Sequence, residues 1–165
     1  MKIRRDFVTN SSSSSFVIAF NSKEEGMDFF NAKARENEIF KYVVEDFDKA
    51  KSKTIEEILN YAEKEFLGDT HYILMCKPYK KYRSFCDYIQ EKYKGISYPE
   101  IFEMPEYKAR QKELVKDNME SFRKKIKGYK YFTTLEYEDH TSSGSELEHY
   151  IMPNLNCTIE RFNHH

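Results

Sequence analysis

The apolar run at residues 16–20 (FVIAF) places the strongest constraint on how this chain folds. Its length matches that of a β-strand, and a run without polar residues is typical of a strand that is buried on both faces. A second strand is predicted over 130–138, because alternate positions there share one face: Tyr131, Thr133, Leu135 and Tyr137. Residues 157–162 are expected to return as a partner strand, and pairing with 130–138 is one arrangement that the sequence leaves open.

Residues 22–128, between these strands, show helical rather than strand periodicity. Two capping-box pairs, Ser22 with Glu25 and Thr54 with Glu57, mark where helices begin. Prolines are expected to open the last two helices, since proline is favoured in the first helical turn. The predicted helices cover 22–35, 38–50, 54–68, 78–95 and 105–127.

Residues 71–76 (HYILMC) fit two interpretations. The segment is short, apolar and rich in residues that favour strands, but it would also extend the preceding helix. Gly68 lies where a helix of ordinary length would stop, and glycine is common just after a helix end. We therefore favour a strand over 71–76.

These elements predict a single α+β domain over residues 1–165. It comprises an extended leader with a serine-rich loop over 1–20, a helical middle over 22–128 and a β-rich part over 129–165. The sheet is predicted to be small and mostly antiparallel, covered by four or five helices. Its strands are expected near 2–8, 15–20, 129–138 and 156–162.

Several features of the sequence indicate a cytoplasmic protein with no membrane partner. No apolar run approaches the 18 or so residues of a membrane-spanning helix. Lys2, Arg4 and Arg5 resemble the start of a signal peptide, but serines interrupt the apolar stretch that follows. The 3 cysteines show no CxxC spacing, which argues against both a disulfide framework and a zinc motif.

The charges are balanced in total but not along the chain. There are 27 basic and 28 acidic residues, for a net charge of −1, yet residues 108–130 carry +6 and residues 131–165 carry −5. Two explanations stay open: the two segments compensate each other, or the basic one is a surface for an anionic partner.

Basic residues interleaved with tyrosines form the candidate binding face. Cations contact phosphates and tyrosine rings stack on unpaired bases, so the pattern is compatible with nucleic acid. A pI near 6.5 falls short of what a dedicated nucleic-acid domain shows, and a solvated helix face is the favoured alternative. The candidate residues are Lys80, Lys81, Arg83, Arg123, Lys124, Lys125 and Lys127.

Histidines and carboxylates concentrate in the last part of the chain, where 4 of the 5 histidines lie. Imidazole and carboxylate groups are ligands of Zn and Mn, so a divalent metal site is the second candidate, although no cofactor is required by any motif. No HExxH spacing occurs, and a solvated acidic edge is the alternative. The candidate ligands are Glu136, Glu138, His140, His149 and His165.

The first residues, MKIRRDFVTNSSSSSF, form the most distinctive motif. They resemble the N-terminal signature MKxRxDFVTNSSSSSF of a group of uncharacterised small bacterial proteins. The resemblance covers about the first tenth of the chain. It implies a bacterial source and a shared processing or partner step rather than a particular reaction.

Together these patterns favour a non-enzymatic binding or interaction protein, an accessory factor for a protein partner. Nucleic acid stays open as the partner. The alternative is a metal-dependent, hydrolase-like enzyme that uses the C-terminal Glu/His cluster, so the enzymatic status stays open. No GxSxG nucleophile motif is present, and Cys86 falls on an apolar helix stripe where an inert thiol is expected.

Overall fold

The computed structural model describes residues 13–138 and 141–164. The predicted strand near 2–8, the first twelve residues of the N-terminal motif, and the candidate ligands His140 and His165 lie outside the described residues.

The fold is α+β, as predicted, with seven helices and a three-stranded antiparallel sheet in the described residues. A π-helical turn (Leu147–Ile151) and a 3-10 turn (Met152–Asn154) follow the last α-helix. The elements are β1 (Ser13–Phe20), α1 (Lys23–Glu36), α2 (Phe40–Lys49), α3 (Ile55–Cys76), α4 (Phe85–Lys92), α5 (Tyr98–Glu103), α6 (Pro105–Ile126), β2 (Tyr131–Glu138), α7 (Ser142–Glu146) and β3 (Thr158–His164).

The chain divides into two compact units. Unit 1 comprises Met1–Ser52 and Tyr129–His165, and unit 2 comprises Lys53–Gly128. Unit 1 therefore contains the whole sheet, whereas unit 2 contains α3 to α6. None of the helices in the described residues is both long and apolar enough to cross a membrane.

In unit 1, β1 is the central strand, with β2 and β3 on its two sides. The prediction that residues 16–20 are buried on both faces is confirmed, because each of them is at most 5% exposed. The expected return strand is present as β3, and its partner, which the sequence left open, is β1 and not β2. The physical reason is that β1, apolar on both faces, takes the position with a neighbour on each side.

Phenylalanine rings form the core on one face of the sheet. Phe20 contacts Phe30 of α1 and Phe47 of α2, with ring centroids 5.8 Å and 5.7 Å apart. Gly26 allows this close approach, because a Cβ there would lie 2.3 Å from Cζ of Phe47. Large rings thus replace aliphatic side chains in a core of modest size.

In unit 2, α3 runs through the segment 71–76, so the predicted strand there was wrong. Gly68 does not end the helix. The buried positions recur every four residues through this segment, and that repeat continues the helix's apolar face past the glycine. They are Ile58, Ala62, Phe66, Thr70 and Leu74.

The predicted helix over 78–95 was also wrong in its first part. Tyr79 and Tyr82 exchange two backbone hydrogen bonds, of 3.1 Å and 2.8 Å, which close a tight turn instead of a helix. The helix in this region, α4, begins only after Ser84, whose side chain accepts a hydrogen bond from the backbone N–H of Asp87. The N-cap at Ser84 is thus favoured over a helix start at Pro78.

Candidate functional site

A groove of about 340 Å³ runs beside α3 and α6 in unit 2. α6 supplies Lys112, Lys116 and Arg123, whose spacing of four and seven residues puts them along one helix face. The apolar part comes from Val115 and Met119 of α6 and from Leu67 of α3, of which Leu67 is 50% exposed. Glu63 also lines this surface. We call it the basic groove.

Six of the seven cations of α6 fall into two sets. Lys108 pairs with Glu103, Arg110 with Glu113 and Lys124 with Glu120, at N–O distances of 2.5 to 2.9 Å. In the part of the chain that the structure describes, no carboxylate lies within 4.0 Å of the three cations of the basic groove: Lys112, Lys116 and Arg123. Among the described residues, the groove cations therefore lack a close ion pair. Lys124 lowers the pKa of Glu120 through its hydrogen bond, and Lys116 adds to this effect only at longer range.

The predicted basic residues separate accordingly. Arg123 lines the groove, whereas Lys124 points to Glu120. Lys125 and Lys127 are exposed at the end of α6. Lys112 and Lys116 were missed by the sequence analysis. The signal that could have found them is the helical spacing of cations around Val115 and Met119.

The other predicted cations, Lys80, Lys81 and Arg83, lie at or beside the turn closed by Tyr79 and Tyr82. Lys80 adopts a left-handed backbone conformation, with φ of 52°. Its Nζ lies 5.1 Å from the ring centroid of Tyr79 and 5.5 Å from that of Tyr88, and Nζ of Lys81 lies 5.2 Å from that of Tyr82. We call residues 77–83 with Tyr88 the tyrosine turn.

Unit 1 contains an ion pair that no sequence pattern revealed, between the buried carboxylate of Glu148 and Arg161, whose side chain is 27% exposed. We call it the buried pair, after its carboxylate. Glu148, in the π-helical turn, is 1% exposed, and its Oε1 accepts hydrogen bonds from Ser14 Oγ (2.8 Å) and Arg161 Nη2 (3.3 Å). The Nε and Nη2 atoms of Arg161 also donate to Ser14 Oγ, at 3.1 Å and 3.0 Å. Glu148 Oε2 has no hydrogen-bond partner among the described residues. The cluster joins β1, β3 and the π-helical turn, which lies between β2 and β3 in the chain.

The candidate metal ligands in the described residues do not come together. Glu136 and Glu138 are exposed on one face of β2, and Oε1 of Glu136 accepts a hydrogen bond from Ser13. His149 instead lies against the buried pair, with Nδ1 3.4 Å from Arg161 Nη2, on the face opposite to Glu136. Within residues 13–138 and 141–164, no group of three His, Cys, Asp or Glu side chains is arranged to hold a metal ion.

The two buried thiols have little nucleophilic character. Burial raises the pKa of Cys86 to about 11 and that of Cys157 to about 12. Because the thiolate is the reactive form, both side chains are inert in the folded protein. The expectation of an inert thiol at Cys86 is consistent with this environment, and Cys76 is exposed.

Comparison with known proteins adds no further assignment: no protein-family model, no curated protein and no solved structure matches this chain.

Proposed function

We propose that this is a non-enzymatic binding protein that holds an acidic, amphipathic helix of a protein partner in the basic groove. The observation that carries the proposal is that three cations without a carboxylate within 4.0 Å in the described residues share one surface with the exposed Leu67 and the half-buried Val115. Charge complementarity would orient the partner, and burial of Leu67 and Val115 would add affinity.

The apolar part of the groove favours a protein over a nucleic acid as its occupant. A phosphate backbone would contact Lys112, Lys116 and Arg123 but would leave Leu67 beside a polar chain. A helix that presents carboxylates beside leucines satisfies both parts of the groove at once. The spacing of the cations along α6 matches carboxylates at helical spacing on the partner.

We also propose that the protein acts in the cytoplasm. The support is its cysteine usage: Cys76, Cys86 and Cys157 are all free thiols, which suits a reducing compartment.

A library of synthetic helical peptides tests the proposed groove. Each peptide presents leucine and glutamate on one face at helical spacing, and two matched peptides replace glutamate with glutamine or leucine with alanine. We expect binding in titration calorimetry for the first kind, with affinity lower by about tenfold or more for each matched peptide, since both charge and apolar burial contribute.

The doubly substituted variant Lys112→Glu/Lys116→Glu is expected to lose the acidic peptide, because its groove would repel carboxylates. Its far-ultraviolet circular dichroism and melting temperature serve as the control for folding. Equal binding of the glutamine peptide, or an unchanged affinity in the double variant, would contradict the proposal.

A further inference from the structure

We infer that the tyrosine turn is a second binding site, for unpaired nucleotides of single-stranded nucleic acid. Its three tyrosines pack together and on Phe85: ring centroids are 5.4 Å apart for Tyr79 and Tyr88, 5.4 Å for Tyr82 and Tyr88, and 4.9 Å for Tyr79 and Phe85. Phe85 is buried, whereas the three tyrosines keep part of their surface exposed. Partly exposed aromatic faces of this kind are the platforms on which unpaired bases stack.

The cations of the tyrosine turn are available to phosphate groups. Lys77, Lys80, Lys81 and Arg83 occur within seven residues that contain no acidic side chain. None of the four has a carboxylate within 4.0 Å in the described part of the chain. The ammonium groups of Lys80 and Lys81 rest on tyrosine rings instead, and such contacts are weak at exposed sites. Arg110 and Lys92 also lie 5.8 Å from the ring centroids of Tyr79 and Tyr88, respectively. An incoming phosphate that draws Lys81 away would therefore leave the face of Tyr82 as the most open one for a base.

The backbone of Lys80 supplies an independent observation. A φ of 52° is a conformation that glycine or asparagine adopts far more easily than lysine. Local backbone preference would therefore favour Asn at this position, and the lysine stands at the tip of the turn in spite of it. Strain of this kind is concentrated at functional sites, and here its effect is to present a cation beside two rings.

The arrangement favours single strands over both duplexes and acidic proteins. Bases in a duplex are stacked on one another and present no free face to a tyrosine. An acidic peptide would pair with the lysines but would leave the rings unused. An unpaired nucleotide uses both groups, because its base stacks on a ring and its phosphate pairs with a cation.

Fluorescence anisotropy with a labelled thymidine oligonucleotide of about 15 nucleotides tests this site, with the matching duplex as a second probe. We expect salt-dependent binding of the single strand and weaker binding of the duplex. Tyr82→Leu should weaken binding of the single strand by about tenfold, the scale of one lost stacking contact. Tyr42→Leu, at an exposed tyrosine of unit 1, is the matched control and should bind as the unsubstituted protein does.

Lys80→Asn gives two readouts of opposite sign. Because asparagine accepts the left-handed conformation, the melting temperature should rise or stay constant. Because a cation is lost, affinity for the oligonucleotide should fall several-fold, and the salt dependence of binding should decrease by about one phosphate contact. Absence of binding at low salt, equal affinity in Tyr82→Leu, or a duplex bound as tightly as the single strand would overturn the inference. Acidic-peptide binding in the basic groove should persist in both variants, so the two proposals fail separately.

Discussion

The buried pair of unit 1 and the basic groove of unit 2 use charged residues in opposite ways. Glu148 and Arg161 bond to each other and to Ser14, and Glu148 is sealed from solvent. Lys112 and Lys116 lie on an exposed helix face without a carboxylate partner in the described residues. The difference is the reason that we place the proposed binding site at the unpaired charges and not at the richest cluster of acids and histidines.

The buried pair has a structural role that the groove lacks. Replacing a buried ion pair with apolar residues is often neutral, so the pair is not explained by stability alone. Ser14 lies opposite Asn163 and beside Arg161 in the sheet, and a one-residue slip between β1 and β3 would turn these side chains to the other face. We therefore expect the pair to set the register of the two strands.

Breaking the pair should have the largest effect on stability. Arg161→Met leaves Glu148 buried without its cation, and we expect the free energy of unfolding to fall by about 3 to 5 kcal/mol. Chemical denaturation measures this loss. In the double variant Glu148→Leu/Arg161→Met both charges are gone, and most of the loss should be recovered; an equal loss in single and double variants would contradict this account.

Thiol labelling shows which of the two units loses stability in Arg161→Met. Cys157 lies in unit 1 and Cys86 in unit 2, and burial holds the pKa of each far above neutral pH, so each reacts with iodoacetamide only after local opening. Arg161→Met should speed the labelling of Cys157 more than that of Cys86, as read by mass spectrometry of the modified peptides. Acceleration at Cys86 alone would be inconsistent with the pair's place in unit 1.

Two glycines in helices should respond in opposite directions. Gly26→Ala forces a Cβ against the rings of Phe47 and Phe20, and we expect a loss of about 1 to 3 kcal/mol. Gly68→Ala meets nothing within 4 Å in the middle of α3 and should stabilise the protein by about 0.5 to 1 kcal/mol. Denaturation of both variants under the same conditions makes each the control for the other.

Local rules predicted much of the fold. The capping boxes placed the starts of α1 and α3, and the apolar run and the alternation placed β1 and β2. These signals depend on near neighbours in the chain. The local signals failed at Gly68, which was expected to end a helix. The buried positions continue to recur up to Leu74, so packing of that apolar face extends α3 past the glycine.

Such local rules could not predict which residues far apart in the sequence come together. That β3 pairs with β1 depends on which strand is most apolar on both faces, and the contact of Ser14 with Glu148 joins residues 134 positions apart. The sequence predicted part of the basic groove, since Arg123 was among the candidate binding residues. Its other cations were hidden in a long charged helix, because only the structure shows which lysines already have a carboxylate.

A comparison of two single charge reversals on α6 tests the central claim most directly. Lys116→Glu and Lys124→Glu change the net charge equally, and both should alter the free energy of unfolding by about 0.5 to 1 kcal/mol at most, because both sites are exposed. In titrations with the acidic amphipathic peptide, we predict a loss of about tenfold or more for Lys116→Glu and an affinity within about twofold of the unsubstituted protein for Lys124→Glu. Equal losses in the two variants would show that net charge, and not the basic groove, attracts the peptide.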